Sequence, residues 1–261
     1  MIQQKMYLLS FIFTLTSLFA QPTNTTLDIN IVLNANEKTW LLNHPIIRVG
    51  MDPDYAPFEW KNEKGEFIGM AVDYLALMGK KLGVTFKIEN SNSWAQVLES
   101  AKRGEIEMLS SIIQTPKRSE FLLFTKTYRT FQTVIVDNAQ GHFIGSLENL
   151  KGKKVAVEKG YFTQEFLASK YPDILLFEAQ STLGALTMVK DGRVDAYVGD
   201  INTINFTIAK HSLMGLHFSG EVDFNNEHHF GVNVKHPELV AILNKTMNVV
   251  SKEESDALFD R

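Results

Sequence analysis

Residues 102–118, KRGEIEMLSSIIQTPKR, decide the fold, because they read in order as a helix end, a turn, a buried strand and a polar loop closing on an arginine. Gly104 follows the periodic segment 94–101, as a helix C-terminus asks, and Ile106, Met108 and Leu109 make a short apolar strand. In an open α/β sheet, ligand chemistry sits just beyond such strand ends. Here Ser110 and Ser111 are expected to leave the strand, Thr115 to cap a helix and Pro116 to take its first position. Arg118 then falls in the first helical turn, where the dipole disfavours a cation. That placement points to an anionic partner, most simply a carboxylate gripped by the guanidinium fork.

The same grammar returns at 189–200, VKDGRVDAYVGD, where Lys190, Gly192, Val194 and Asp195 match Lys102, Gly104, Ile106 and Glu107. The chain therefore reads as two similar halves. In the second copy the strand Ala196-Tyr197-Val198 runs into Gly199 and Asp200, an acid where the first copy leads to a base. A ligand held between the halves would meet Arg118 on one side and Asp200 on the other, a pair that suits a zwitterion. The plainer alternative stays open: both copies are helix–turn–strand units with solvated ends.

Working outward, residues 1–20 carry one charge at Lys5, then an apolar run over 6–19 broken only by Ser and Thr, with Ala20 before Gln21-Pro22. This is the pattern of a secretory signal peptide, and the run is short for a membrane span. The absence of cysteine excludes disulfides, thiolate metal sites, a catalytic thiol and lipid attachment at a processed cysteine. A soluble protein outside the cytoplasm is expected, periplasmic or otherwise secreted, and 261 residues suffice for two modest domains with a real core. The net charge is −4, and Lys80-Lys81 and Lys153-Lys154 are isolated pairs, so nothing favours nucleic acid. His228 and His229 are neighbours that a strand would point to opposite faces, which argues against a metal. No nucleophile elbow, P-loop or dinucleotide fingerprint occurs, and no cofactor is expected.

Between these landmarks, 34–42 reads as a short helix capped by Asn34 with Glu37 three residues on. Strand 46–50 delivers the loop DPDYAPFEW at 52–60, whose prolines and aromatics make a stiff surface at the strand end. Helix 70–82, strand 85–88 and helix 94–101 follow, then strands at 121–124 and 133–136 and a change of composition at 137–141. The second half has a helical signal near Leu147, strand 154–157, Thr163 as N-cap of helix 164–170, strand 174–177, helix 182–190, strand 196–198 and helix 201–210. Strands at 216–219 and 230–234 and helix 237–249 close the chain. Alternating strands and helices argue for an α/β fold of mostly parallel sheets covered on both faces. Trp60 and Trp94 suit either the core or a pocket wall.

The segments DPDYAPFEW, SS…TPKR, GYFTQE and VDAYVGD together resemble the bacterial extracytoplasmic solute-binding proteins of the polar amino acid type, family 3, from Pro45 to the C-terminus. The resemblance implies a two-lobed Venus-flytrap periplasmic-binding-protein fold, with 45–130 plus 229–261 as one lobe, 131–228 as the other and 21–44 as a lead. It puts Tyr55 stacking on the ligand, Arg118 on its α-carboxylate, Ser111 and Thr163 adding hydrogen bonds, Asp200 on its α-ammonium and Asp52 at its far end. With Trp60, Ser110, Ile113 and Phe162 these form the candidate ligand-binding set. Ile113 departs from the family's small hydroxyl residue, and Tyr161-Phe162 add bulk, which leans the preference toward an apolar or aromatic ligand.

A second likeness is to the periplasmic sensor domains of histidine kinases or diguanylate cyclases, carried by WLLNHPIIRVGMDPDYAPFEW, TPKRSEFLLFTKTY and NKTMNVVSKEESDALFDR. The chain then reads as a free-standing monomeric binder serving an ABC transporter permease, or as the sensing part of a membrane signalling protein. The enzyme alternative on this fold is a cyclohexadienyl dehydratase-like hydrolyase, which needs a proton donor such as Glu158, Asp52 or Glu59. Binding without chemistry is the reading adopted.

Overall fold

The structure, a computed structural model, describes residues 27–28, 30–138 and 143–259; the expected signal segment at 1–20 lies outside the described residues. Asn34 opens α1 (Ala35–Asn43) through a reciprocal cap, accepting from the Glu37 N–H at 2.9 Å while Glu37 accepts from the Asn34 N–H at 2.7 Å. β1 (Ile46–Gly50) enters the core, and the short β2 (Asp54–Tyr55), β3 (Glu59–Lys61) and β4 (Phe67–Ile68) form a small separate sheet. α2 (Met70–Leu82), β5 (Thr85–Ile88), α3 (Trp94–Arg103), β6 (Met108–Ile112) and β7 (Leu122–Phe124) complete the first half. α3 ends where Gly104 turns left-handed at φ 74°, a conformation that costs glycine little.

β1 runs parallel to both β5 and β6, so the crossover helices fall on opposite faces. Ile47, Val49 and Met108 pack with Leu75 and Met78 of α2, whereas Leu109 and Ile112 pack with Val97 and Ala101 of α3. β8 (Arg129–Asn138) then crosses to a second unit of β9 (Lys154–Glu158), α4 (Phe162–Lys170), β10 (Leu175–Ala179), α5 (Thr182–Lys190), β11 (Ala196–Asp200) and α6 (Ile201–His211). β9 is parallel to β10 and β11. The two-residue period of a strand divides its core: Val134, Val136 and Tyr197 join Leu186 and Ile204, while Ile135, Ala196 and Val198 join Leu150 and Leu167.

β12 (Leu216–Asn233) brings the chain back to the first core, where α7 (Pro237–Val249) and α8 (Lys252–Phe259) complete it. The nine-stranded sheet runs β10-β9-β11-β8-β12-β6-β1-β5, with β7 paired to β12. β12 pairs antiparallel with β8 over its first part and with β6 and β7 over its last, so β8 and β12 are the two strands that cross between the halves.

Several expectations need correcting. The strands expected at 216–219 and 230–234 are one 18-residue strand. Register shifts between Phe218 and Gly220 and between Glu221 and Asn225 let turn-forming residues stay in the ladder. Ser110 and Ser111 lie inside β6 and are buried, because Glu59 and Tyr128 satisfy their hydroxyls. The helix expected after Thr115 is a single 3-10 turn, Arg118–Glu120, although Thr115 Oγ1 does accept from the Arg118 N–H at 3.1 Å. Three residues have little dipole, so the argument for an anion from helix position loses force there. Thr163 lies within α4, whose cap position is held by Tyr161.

Candidate functional site

The loop that leaves β1 is anchored from below by Glu59. Its carboxyl group is fully buried, accepts from the Asp52 N–H at 2.7 Å and from the Ser110 hydroxyl, and is pushed by burial to a pKa of about 8. Asp52 is thereby aimed across the cleft, where its Oδ2 accepts from the Tyr161 hydroxyl at 2.6 Å and its Oδ1 from the Asp54 N–H at 2.9 Å. Burial raises Asp52 to about 7. Tyr55 stands edge-on to Tyr161, with ring centroids 5.8 Å apart and planes at 88°, and its hydroxyl lies 3.0 Å from His228 Nε2. Burial lowers His228 to about 3, so its ring is neutral.

Arg118 is almost fully enclosed, and burial lowers its pKa. Its Nη1 donates to the Ile113 carbonyl at 2.8 Å and its Nη2 to the Gly160 carbonyl at 3.0 Å, while Nε lies 3.3 Å from Glu165 Oε1. The other carboxylate oxygen of Glu165 accepts from Thr115 Oγ1 at 2.9 Å, and the Trp94 indole also donates to the Gly160 carbonyl, at 3.1 Å. The turn from β9 into α4 thus meets the first half through Gly160, Tyr161 and Glu165. The cleft holds a small, partly open cavity of about 40 Å³.

Asp52, Tyr55, Ser111, Ile113, Arg118 and Phe162, all expected site residues, line this cavity, together with Trp94, Ile112, Tyr161 and His228. The remaining expected residues lie off its wall. Trp60 packs on Phe206 at 5.3 Å between ring centroids, and Ser110 serves Glu59 below. Thr163 is buried, and its hydroxyl has no hydrogen-bond partner among the described residues. Asp200 caps α6: Oδ1 accepts from the Asn202 and Thr203 N–H groups at 2.8 and 3.1 Å, and Oδ2 from Asn226 Nδ2 at 3.2 Å. The structure therefore does not bring Arg118 and Asp200 together on the cavity wall.

His228 is the wall residue sequence reasoning passed over; the alternation that separates it from His229, whose ring instead meets the Thr125 carbonyl at 2.8 Å, was the available signal. Glu158 sits behind the wall, accepting from Tyr197 at 2.5 Å and Thr182 at 2.8 Å, with its pKa raised by burial. Among the described residues no group of three or more His, Cys, Asp or Glu is placed to hold a metal, and no helix is long and apolar enough to cross a membrane.

Comparison with known proteins adds four findings. Residues 47–261 match the bacterial extracellular solute-binding proteins, family 3. The virulence sensor protein BvgS of Bordetella pertussis is 24% identical over 229 residues, 87% of this chain but only 18% of that protein. The arginine-binding periplasmic protein of Mannheimia haemolytica is 26% identical over 219 residues, covering 81% of this chain and 88% of that one. Among solved structures, the BvgS periplasmic VFT2 domain superposes with a TM-score of 0.79 at 23% identity, over 88% of this chain and 98% of that domain. The two-lobed α/β architecture is that of the Venus-flytrap periplasmic binding proteins.

Proposed function

The chain belongs to the bacterial extracellular solute-binding proteins of family 3, and from that premise we propose that it captures a small nitrogen-bearing solute, an amino acid or a related amine, by closure of its cleft. The observation that carries this reading is the convergence of Asp52, Tyr55 and Arg118 from one half with Tyr161 and Phe162 from the other on one cavity. In the proposed division, residues 45–130 with 229–261 move as one lobe and 131–228 as the other. β8 and β12 supply the hinge. Closure needs contacts that exist only in the closed form, and the Asp52–Tyr161 and Arg118–Gly160 hydrogen bonds are contacts of that kind. The arginine-binding relative supports an amine-bearing ligand.

A sensory role is the second reading, favoured by the match of 87% of this chain to a sensor protein. Closure would then be handed to a membrane signalling protein, whereas in uptake the partner would be an ABC permease. Both place the chain outside the cytoplasm, and both involve binding without turnover. A thermal-shift screen of unfolded, dialysed and refolded protein against the twenty amino acids, their amines, small carboxylates, prephenate and arogenate tests the proposal. A ligand at a thousandfold over its Kd adds about 4 kcal/mol and raises Tm by roughly ten degrees. A flat response to every compound overturns ligand capture, and consumption of prephenate or arogenate overturns binding without turnover.

A further inference from the structure

We propose that the cleft takes a small organic cation lacking a carboxylate, an amine or guanidine set against Asp52 among the rings of Tyr55, Tyr161, Trp94 and Phe162, and that Glu165 fixes this choice. The inference rests on the solute-binding reading above and narrows its ligand class.

The guanidinium of Arg118 is held by two hydrogen bonds and one ion pair, and its buried Nε makes no hydrogen bond among the described residues. Ile113 and Gly160 offer carbonyls to its two terminal nitrogens, and Glu165 presents a carboxylate oxygen 3.3 Å from Nε. The side chain of Arg118 is 3% exposed, and that of Glu165 22%. A ligand carboxylate would have to displace Glu165, which would also lose its bond from Thr115 at 2.9 Å. Glu165 does not line the cavity, but it supplies from within the chain the carboxylate that balances Arg118. With Arg118 balanced by Glu165, the acid on the wall is Asp52, and the wall's His228 is neutral.

The rest of the wall suits a cation. Tyr55 and Tyr161 meet edge-on at 5.8 Å beside Asp52, with Trp94 and Phe162 bordering the same cavity. Ring faces attract ammonium and guanidinium groups most strongly where water is excluded. Asp200 and Glu158 stand behind the wall, close enough that both act electrostatically on Tyr55. A cavity of about 40 Å³ admits only a compact head group in the closed form.

Isothermal titration calorimetry on the refolded chain tests this with pairs that differ by one carboxylate: agmatine against arginine, putrescine against ornithine, and ethylamine against alanine. The expected result is that at least one amine binds, at least tenfold tighter than its zwitterion. Asp52→Asn should weaken that amine at least tenfold. Glu165→Gln should free Arg118 and improve the zwitterion at least tenfold while changing the amine less, with circular dichroism confirming that both variants fold. A zwitterion that binds as well as or better than its amine overturns the proposal and leaves the solute-binding reading standing. Failure of every amine and every zwitterion, with no change in small-angle scattering on addition, overturns both.

Discussion

Glu59 and Asp52 bury carboxyl groups beneath and beside the cleft, and burial raises them to about 8 and about 7. Each holds its proton more tightly folded than unfolded, so over the interval between its unfolded and folded pKa the folded chain binds more protons and stability falls as pH rises. His228, lowered to about 3, acts in the opposite sense below its unfolded value near 6.5. The interval from pH 6.5 to 8 therefore isolates the acids. Glu59 and Asp52 together should lower unfolding free energy there by about 2 kcal/mol, with Glu158 and Asp200, also raised by burial, acting in the same direction, and Glu59→Gln should reduce the drop by more than about 1 kcal/mol in urea titrations at the two pH values. The ion-paired acids Glu37, Glu105 and Glu107, whose pKa values are lowered, act below this interval. Arg118→Ala belongs to the same scale. It leaves the Glu165 carboxylate and two carbonyls facing an emptied pocket, and should cost about 3–5 kcal/mol in denaturant unfolding, as loss of one partner of a buried pair does. An unchanged midpoint would show that the guanidinium is not structurally engaged. Arg118 was legible as a residue of the cavity wall because an arginine after Thr-Pro-Lys has a local reason to be noticed. Glu165 was not, since its role exists only where α4 meets the loop after β6.

At the scale of elements, helices and strands with one strong period were legible to the residue. β1, β5, α2 and α5 have the bounds their apolar spacing predicts. β12 was not legible as one strand, because Gly220, Asp223, Asn225 and Asn226 read as turn formers and only pairing with β8 holds them extended. Gly220 also meets the backbone of Gly145 in an isolated bridge outside that pairing. A Cβ there would lie 2.5 Å from the Gly145 carbonyl oxygen and 2.7 Å from its carbon, both backbone atoms with little room to yield. Gly220→Ala should therefore destabilise the protein by about 1–3 kcal/mol, measured by chemical denaturation. A variant as stable as the parent would mean that the 145 segment gives way without cost.

For the whole molecule, the repeated helix–turn–strand grammar at 102–109 and 190–197 was enough to read two α/β halves, because parallel strands and crossover helices are written in local periodicity. The cross-cleft bonding was not readable, because it depends on pairs distant in sequence such as Asp52 with Tyr161 and Trp94 with Gly160. Those two hydrogen bonds cross between the halves. If they hold the cleft shut, a Tyr161→Phe, Trp94→Phe double variant should lose about 1–3 kcal/mol of closing free energy and show a larger radius of gyration in small-angle scattering. A superimposable scattering profile would mean that closure is set elsewhere.

The ends of the described chain meet at Lys81. Its ammonium lies 3.0 Å from Glu254 and 3.6 Å from Asp28, its carbonyl accepts from the Asp28 N–H at 2.7 Å, and Trp40 of α1 shares a core with Leu243 of α7. Mechanically this makes a single anchor plate: tension applied between residues 28 and 254 is borne within one half and leaves the cleft unloaded.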